Sequence, residues 1–213
     1  MSAVDHPVPL RERKKSRTRR TLADTALELF GDKGFDVATL DELVYRVEVS
    51  KRTFFRYFSS KEDVALEPDK ELWSAVLDDI ETRRLTGPVL TSLRETLVDT
   101  IRGMDPSWSD RFLTLHRMVD ITPALHAFGL RYCASVSGDL ADRLADRLGA
   151  SADQLTLQMM VELMIAAWHR AAEDWSAQNG AGGTERLAER VDETFAVLPD
   201  CLTLTGDGAD HSV

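Results

Sequence analysis

The segment SKRTFFRYF carries the side chains that could do specific chemistry. Lys51, Arg52 and Arg56 supply positive charge, and Phe54 and Phe58 stand one helical turn apart. On a short helix this spacing turns the two rings toward a core and leaves the cations on the other faces. Cations at the start of such a helix can meet guanine O6 and N7 in the major groove of DNA. The segment therefore indicates nucleic-acid recognition.

The residues before this segment predict a helix that would hold it in place. Thr39 and Glu42 have the spacing of a capping box, in which each side chain bonds to the other residue's backbone N–H. Leu40, Leu43 and Val44 begin an apolar stripe with helical spacing. This pattern predicts a short helix with one buried face.

A tight turn would join the two helices. Glu48 and Val49 form the expected turn, and Ser50 is a natural N-cap for the helix that begins at Lys51. Two short helices with such a turn are typical of a helix-turn-helix. The same pattern also occurs in all-α proteins that do not bind DNA, so its spacing alone leaves both interpretations open.

The charge of the chain is strongly lopsided. Residues 11–20, RERKKSRTRR, contain seven Lys or Arg and one Glu. Residues 1–61 carry a net charge of +4 and the rest −14, within a total of −10. A basic run is often only a solvated tail. Affinity for DNA depends on local contacts between cations and phosphates, however, and an acidic bulk would turn the basic end toward the duplex. The asymmetry favours an N-terminus that faces DNA.

Length and composition restrict the remaining classes of protein. With 213 residues, of which 43% are hydrophobic, the chain can bury the core of one or two domains. We expect no membrane span, because no apolar run approaches 18 residues, and no secretory signal, because no apolar region follows the first cations. Two cysteines, Cys133 and Cys201, suit a reducing cytoplasm better than a disulfide framework. We expect a cytoplasmic protein.

Helical periodicity runs through nearly the whole chain. It predicts an all-α fold of about nine helices, with a left-handed terminator at Gly34 and an interruption or kink at Pro68. The last two long helices are expected at 152–178 and 184–198, and the polar tail from Thr203 is expected to fray. We predict a basic arm and helix-turn-helix head in residues 1–60 and a larger helical body in residues 61–213.

The head resembles the TetR family of transcriptional regulators. The resemblance covers about residues 17–64 and rests on FGDKGFDVATLDEL and VSKRTFFRYFSSKED. It implies a three-helix DNA-binding head and a divergent helical body that binds a small molecule and dimerises through its last two long helices. Beyond the head, only the number and layout of the helices agree with the family.

The resemblance also implies which side chains contact DNA. The first residues of the second helix would meet base edges, the hydroxyls and the following lysine would hold phosphate, and the basic entry would follow the backbone or the minor groove. These DNA contacts are Arg17, Arg20, Thr39, Lys51, Arg52, Thr53, Phe55, Arg56, Tyr57 and Lys61.

Three positions depart from the family pattern. Glu48 replaces a turn glycine and brings a carboxylate near phosphate. Arg52 replaces a small glycine in the reader helix, and Phe55 replaces a common tyrosine. These changes leave the motif in place but prevent a prediction of the operator sequence.

The body contains large, polarisable residues that could line a central cavity for an apolar or amphipathic effector. The expected residues are Met104, Trp108, Phe112, Leu115, His116, Met160, Met164 and Trp168. Each of them could equally belong to an ordinary core. The histidines lack the close spacing of metal ligands, so we expect no metal and no cofactor.

One short reader helix contacts few bases, so tight binding usually needs two half-sites about 34 Å apart. We therefore expect a homodimer, held by apolar stripes on the last two long helices. These stripes are Leu155, Met159, Leu163 and Ala167 on one helix and Leu187, Val191, Phe195 and Leu198 on the other. Part of each stripe must face the core of its own monomer.

Together these features predict a repressor that leaves its double-stranded DNA operator when it binds a small, mainly apolar molecule. Activation in place of repression would use the same chemistry. The alternative from another class is a helical enzyme or lipid-carrying protein whose basic arm binds a membrane or an acidic partner. The sequence shows no nucleophile–base pair, paired carboxylates or cofactor loop, so we do not expect an enzyme.

Overall fold

The computed structural model describes residues 10–149 and 153–205, which form α-helices and no strand. The helices are α1 (Leu10–Lys33), α2 (Leu40–Arg46), α3 (Lys51–Phe55), α4 (Lys61–Ala65), α5 (Glu67–Thr82), α6 (Val89–Gly103), α7 (Trp108–Ile121), α8 (Pro123–Leu148), α9 (Gln154–Ala177), α10 (Gly183–Ala196) and α11 (Leu198–Thr203). The all-α prediction is confirmed. The described residues form eleven helices, two more than expected, because α4 is separate from α5 and α11 follows α10. The predicted frayed tail lies, from residue 206 on, outside the described residues.

The first helix is longer than its apolar pattern suggested. It begins at Leu10, so the basic run 11–20 is continuous with the buried part of α1. It ends as predicted: Gly34 has φ +86°, in the left-handed region, and its N–H donates to the Phe30 carbonyl at 2.9 Å. A glycine adopts this conformation without the steric cost of a Cβ atom.

The predicted helix caps are present. Thr39 Oγ1 accepts from the Glu42 N–H at 3.2 Å, and the Glu42 carboxylate accepts from the Thr39 N–H at 3.1 Å, which completes the capping box. Ser50 Oγ accepts from the Thr53 N–H at 3.1 Å. Ser60 caps α4 in the same way. The hydrogen bonds of these side chains fix where α2, α3 and α4 begin.

The expected interruption near Pro68 is a break between two helices. α4 ends at Ala65, and α5 begins at Glu67 with Pro68 in its first turn. A proline is tolerated there because the first N–H groups of a helix have no partner within the helix. The helix is therefore interrupted at Leu66, before the proline, and not at the proline itself.

The chain divides into two compact units. The head unit comprises the residues up to Glu71 together with Ser107–Tyr132, and the body unit comprises Leu72–Pro106 and the residues from Cys133 on. This division differs from the boundary predicted after residue 60. The reason is that Leu115 and Leu125 are fully buried in the same apolar cluster as the helix-turn-helix.

The head core collects the apolar faces of α1, α2 and α3. Leu22, Leu43 and Phe54 are fully buried, and Phe30 meets Phe35 edge to face with 5.2 Å between ring centroids. Burying one such side chain stabilises a fold by roughly 1.5–3 kcal/mol. This core orients the short reader helix, which is too short to be stable alone.

In the body unit, α10 packs against both α9 and α6. Leu187 and Val191 of α10 are fully buried, and the rings of Trp73 and Trp168 meet edge to face with centroids 6.2 Å apart. No helix in the described part of the chain is long and apolar enough to cross a membrane.

Candidate nucleic-acid interface

The reader helix α3 separates aromatic from charged side chains, as its spacing predicted. Phe54 is fully buried and lies 5.7 Å from the ring of Phe58, which is 1% exposed. Lys51, Arg52 and Arg56 are exposed. The helix therefore presents a cationic surface to solvent while its rings hold it on the head core.

Phe55 projects from the same helix with 54% of its surface exposed. Its ring touches Phe54 edge to face at 5.3 Å between centroids, which limits its freedom. An exposed aromatic among cations can meet the methyl group of thymine or pack on a sugar. Its position suits contact with a nucleic acid better than it suits solvent.

Lys51 is held by a neighbouring carboxylate in this structure. Its ammonium lies 2.8 Å from Asp41 Oδ1 on α2, and the two side chains are 52% and 73% exposed. Such an exposed pair contributes about 0–1 kcal/mol, so the lysine can exchange it for another anion at little cost. The pair places the ammonium beside the first turn of α3.

Arg56 lies over a ring that orients it. Its guanidinium carbon is 5.0 Å from the centroid of Tyr57, and its Nη2 donates to the Tyr57 hydroxyl at 3.1 Å. Tyr57 itself is half-buried. The cation–π contact and the hydrogen bond keep the cation and the phenol together at the end of α3.

The two threonine hydroxyls take part in helix caps. Thr39 is exposed, and its hydroxyl also contacts the Glu42 carboxylate at 3.3 Å. Thr53 is half-buried and lies 3.0 Å from Ser50 Oγ. Phosphate oxygens only accept, so each threonine must donate its one O–H to reach them. For Thr39 this means leaving the Glu42 carboxylate, while its oxygen can still accept from the Glu42 N–H.

Lys61 is directed into the head. Its ammonium donates to the carbonyl oxygens of Phe35 and, at 2.9 Å, Ala38, and it lies 4.2 Å from the Phe35 ring centroid. These contacts join the start of α4 to the loop between α1 and α2. The phosphate contact suggested by the sequence for this lysine stays a prediction, and in this structure its ammonium contacts the head itself.

The two predicted arginines of α1 differ in their surroundings. Arg17 is exposed. Arg20 donates through Nε to Asp24 at 3.1 Å and through Nη2 to Ser107 Oγ at 2.8 Å, so it bridges α1 and the start of α7. Arg17 is therefore open to contact with a nucleic acid beside α1. Arg20 would first have to leave Asp24 and Ser107 to make such a contact.

Arg19 was missed by the sequence analysis and holds the reader helix in place. Its Nη2 donates to Glu67 Oε2 at 2.6 Å, its Nε donates to Glu67 Oε1, and its Nη1 donates to the Tyr57 carbonyl at 3.3 Å. The guanidinium also lies 4.8 Å from the Phe58 ring centroid. Nothing in the run RERKKSRTRR distinguishes this arginine, since its partner is far along the chain.

Glu67 is the buried end of that pair, with 5% of its surface exposed. Burial raises the pKa of its carboxyl above the ordinary value, against the opposing effect of the Arg19 guanidinium. The hydrogen bond to Glu67 raises the pKa of Arg19 in turn, so the arginine stays charged. Removing the arginine would leave a buried carboxylate without its counter-charge.

Two further residues of the head face solvent next to α3. Tyr45 on α2 is 84% exposed, which the sequence analysis did not single out although it lies off the buried stripe. Glu48 is exposed and has φ +56°. Glu48 therefore has a left-handed backbone conformation that a glycine would adopt without strain. For a residue with a Cβ atom this conformation lowers the folding stability by about 1–2 kcal/mol.

In the head unit, the predicted ligand residues pack against one another. Trp108, Phe112 and Leu115 are fully buried. The rings of Trp108 and Phe112 stack at 4.7 Å, and those of Phe112 and His116 lie 4.0 Å apart. The indole of Trp108 donates to the Pro68 carbonyl at 2.9 Å. In this conformation these residues form a packed aromatic cluster.

In the body unit, Met164 and Trp168 are buried and Met104 and Met160 are half-buried. A cavity of about 500 Å³ in this unit is lined by none of the predicted ligand residues. Its lining is Pro88, Leu90, Thr91, Arg94, Leu163, Asp192, Phe195, Ala196, Leu198, Pro199 and Leu202. The predicted ligand residues therefore stay a prediction.

Comparison with known proteins places the chain in a family. A family model described as bacterial regulatory proteins, tetR family, matches residues 22–67, and one described as MftR C-terminal domain matches residues 87–203. The chain is 36% identical over 175 residues to the HTH-type transcriptional regulator TcmR of Streptomyces glaucescens, covering 78% of this chain and 76% of that protein. It is 26% identical over 189 residues to a Mycobacterium tuberculosis protein named as mycofactocin biosynthesis transcriptional regulator MftR, covering 87% and 93%.

Solved structures share the fold. A transcriptional regulator from Rhodococcus sp. Rha1 superposes with a TM-score of 0.52 at 15% identity, covering 86% of this chain and 96% of that one. Salmonella enterica GusR gives a TM-score of 0.52 at 17% identity, with the same coverage.

A helix-turn-helix head joined to a helical body defines a class of DNA-binding transcriptional regulators. The chain belongs to the TetR family of bacterial regulatory proteins. The relatives named above are transcriptional regulators, which supports a regulator and not an enzyme at the level of the family.

Proposed function

We propose that the protein is a homodimeric repressor that binds a DNA operator through α3 and leaves it when the body binds a small, mainly apolar molecule. The observation that carries the first part is the surface of α3. Lys51, Arg52 and Phe55 are exposed on a helix whose Phe54 is fully buried. A helix fixed in this way can enter the major groove with its cations foremost.

The contacts divide by position on the head. Lys51 and Arg52 in the first turn of α3 meet base edges, and Phe55 packs on a thymine methyl group. Phosphate is held by Arg56 and Tyr57 at the end of α3, by the hydroxyls of the two threonines, and by the two arginines of α1. These phosphate contacts are Arg17, Arg20, Thr39, Thr53, Arg56 and Tyr57. Lys61 positions the head through its two carbonyl partners.

The dimer is supported by the exposed apolar surface of α9. Leu155 and Met159 are 65% and 54% exposed, one helical turn apart. On α10, by contrast, Leu187, Val191 and Phe195 are buried in the body unit itself. We therefore assign the interface to the first half of α9 and not to the whole of both predicted stripes.

Release by an apolar effector is supported by the residues of the body. Met104 and Met160 are half-buried, and methionine side chains adapt to varied apolar shapes. A ligand can shift the balance between DNA-bound and free forms only by its different affinity for the two.

DNA recognition is tested by the double variant Lys51→Ala/Arg52→Ala. Operators selected from random duplexes by the natural protein should bind this variant about 10²–10⁴-fold more weakly, since each good base contact contributes about 1–3 kcal/mol. The matched control Arg102→Ala/Arg170→Ala removes two exposed cations of the body unit and should retain nearly full affinity. An equal loss in both variants would mean that only net charge attracts DNA.

The dimer is tested by sedimentation at micromolar concentration. We expect a dimer for the natural protein and a weakened one for Leu155→Asp, because a buried carboxylate would oppose association. Leu130→Asp, at a position that is 54% exposed on α8, should leave the assembly unchanged. A stable monomer of the natural protein would refute the proposal.

Effector release is tested in a mobility assay with the selected operator. Ligands that purify with the protein are identified by native mass spectrometry and titrated back into the complex. We expect free DNA at saturating ligand. Full retention of the DNA at saturation would exclude induction by that ligand.

A further inference from the structure

A thiol and an imidazole meet between α8 and α9 in the body unit. Cys133 Sγ lies 3.6 Å from His169 Nε2, within hydrogen-bonding range for sulfur, and both residues are half-buried. Either the thiol donates to the neutral imidazole, or the imidazolium donates to the thiolate. The pair has the nucleophile–base arrangement that the spacing of these two residues along the chain could not reveal.

Two carboxylates of α9, Glu162 and Glu173, have partners of their own. One turn beyond Cys133, Ser137 Oγ donates to Glu162 at 2.5 Å. One turn beyond His169, Glu173 lies 3.1 Å from Arg170 Nη1. The Arg170 guanidinium offsets the negative charge of Glu173, whereas Glu162 keeps its charge because its partner is a neutral hydroxyl.

We propose that Cys133, with His169 as its base, is a covalent attachment site for soft electrophiles of the α,β-unsaturated carbonyl class. A thiolate is the reactive form of cysteine, and an adjacent base supplies it without requiring a high pH. Both residues are half-buried, so the pair is neither enclosed in the core nor fully solvated. The inference does not depend on DNA binding.

The reaction is a conjugate addition. His169 Nε2 takes the thiol proton, and the sulfur forms a bond to the β-carbon of the electrophile. The π electron pair of the C=C bond moves to the α-carbon and its carbonyl, giving an enolate. The imidazolium then returns the proton to the α-carbon. The net change is addition of S–H across the double bond, with no oxidant or reductant.

The chain carries its own reference thiol. Cys201 on α11 is exposed, so by access alone it should react faster than Cys133. The full-length protein is treated with limiting N-ethylmaleimide between about pH 5.5 and 8.5, and the adduct at each cysteine is timed by peptide mass spectrometry. We expect Cys133 to react on the order of tenfold faster than Cys201 near pH 6, because His169 takes the thiol proton as the sulfur attacks.

Two histidine variants identify the base. His169→Gln should lower the rate at Cys133 to that of Cys201 or below, whereas His126→Gln, at an exposed position on the same α8, should leave it unchanged. If His169→Gln fails to fold, the pH dependence of the two rates in the natural protein still tests the proposal. As the pH is lowered across this range, the rate at Cys133 should fall less than the rate at Cys201. Slower reaction at Cys133 than at Cys201 at every pH, or no change in His169→Gln, would overturn the proposal.

Discussion

The guanidinium of Arg19 and the buried carboxylate of Glu67 form a two-bonded ion pair that joins α1 to α5. The same guanidinium donates to the carbonyl of Tyr57, just beyond the reader helix. One side chain therefore joins the basic helix, the end of the reader helix and the first turn of α5. This arrangement fixes the position of α3 on the head.

Arg19→Leu should lower the free energy of unfolding by about 2–3 kcal/mol. This is less than the 3–5 kcal/mol typical of a broken, fully buried pair because the arginine is 39% exposed. Urea unfolding followed by circular dichroism measures the change. Arg17→Leu, on the exposed side of the same helix, should change stability by less than about 0.5 kcal/mol.

The cost of Arg19→Leu should also depend on pH. Burial already raises the pKa of Glu67, and loss of the guanidinium raises it further. The folded variant then binds a proton more tightly than its unfolded chain, so its stability is greatest in acid and falls as pH rises through the folded pKa. The deficit should be smaller near pH 5 than near pH 7.5. A deficit independent of pH would exclude an unpaired Glu67 carboxylate as its source.

Asp41→Asn should strengthen DNA binding about two- to fivefold at low salt. The Lys51 ammonium, 2.8 Å from Asp41, must leave this carboxylate to reach DNA, and an exposed pair of this kind is worth about 0–1 kcal/mol. Fluorescence anisotropy with a selected operator measures the gain. Asp36→Asn removes another exposed carboxylate of the head and serves as the control. An equal gain in both variants would point to net charge alone.

Glu48→Gly should stabilise the protein by about 0.5–1 kcal/mol. Glycine adopts φ +56° without the steric cost that glutamate bears, although the unfolded chain gains some entropy. Glu48→Gln keeps the strained side chain and should leave stability unchanged. Both variants should bind DNA more tightly, because each removes a carboxylate from the expected phosphate surface. Equal melting temperatures for the two variants would show that the turn is not strained.

Asp63→Asn should destabilise the head near neutral pH by about 1–2 kcal/mol. Burial opposes ionisation of Asp63, but Lys70 and the N–H and hydroxyl of Ser59, at 2.6 and 2.9 Å, outweigh it and lower the pKa. The stabilisation is therefore complete above the unfolded value near 4 and is lost as pH falls through the lower folded pKa.

The measurement for Asp63→Asn is the unfolding free energy of both proteins between about pH 2 and 7. The difference between them should shrink as pH falls below about 4, because the natural carboxyl then takes up a proton. A difference that grows in acid would contradict the lowered pKa.

The local features of the head could be predicted from the sequence. The capping box of Thr39 and Glu42, the cap at Ser50 and the terminator at Gly34 depend on neighbours within four residues, so the sequence contains both partners. The buried side of α3 follows from the spacing of Phe54 and Phe58. The orientation of the cationic surface is a consequence of that spacing.

The contacts between distant segments could not be predicted in this way. Arg19 and Glu67 are 48 residues apart, and Cys133 and His169 are 36 apart. Periodicity shows which face of a helix is buried but not which helix covers it. For the same reason, the apolar stripe of α10 could not be assigned to the core of its own monomer before its packing against α6 and α9 was known.

The head core is completed by side chains from two separate stretches of chain, since Leu115 and Leu125 share a cluster with the helix-turn-helix. A chimeric regulator made by joining residues 1–71 to a foreign body would lack α7 and the first turns of α8. The transplanted piece would then carry uncovered apolar surface and should aggregate. Operator specificity in this chain is better exchanged by replacing the exposed residues of α3 than by exchanging segments.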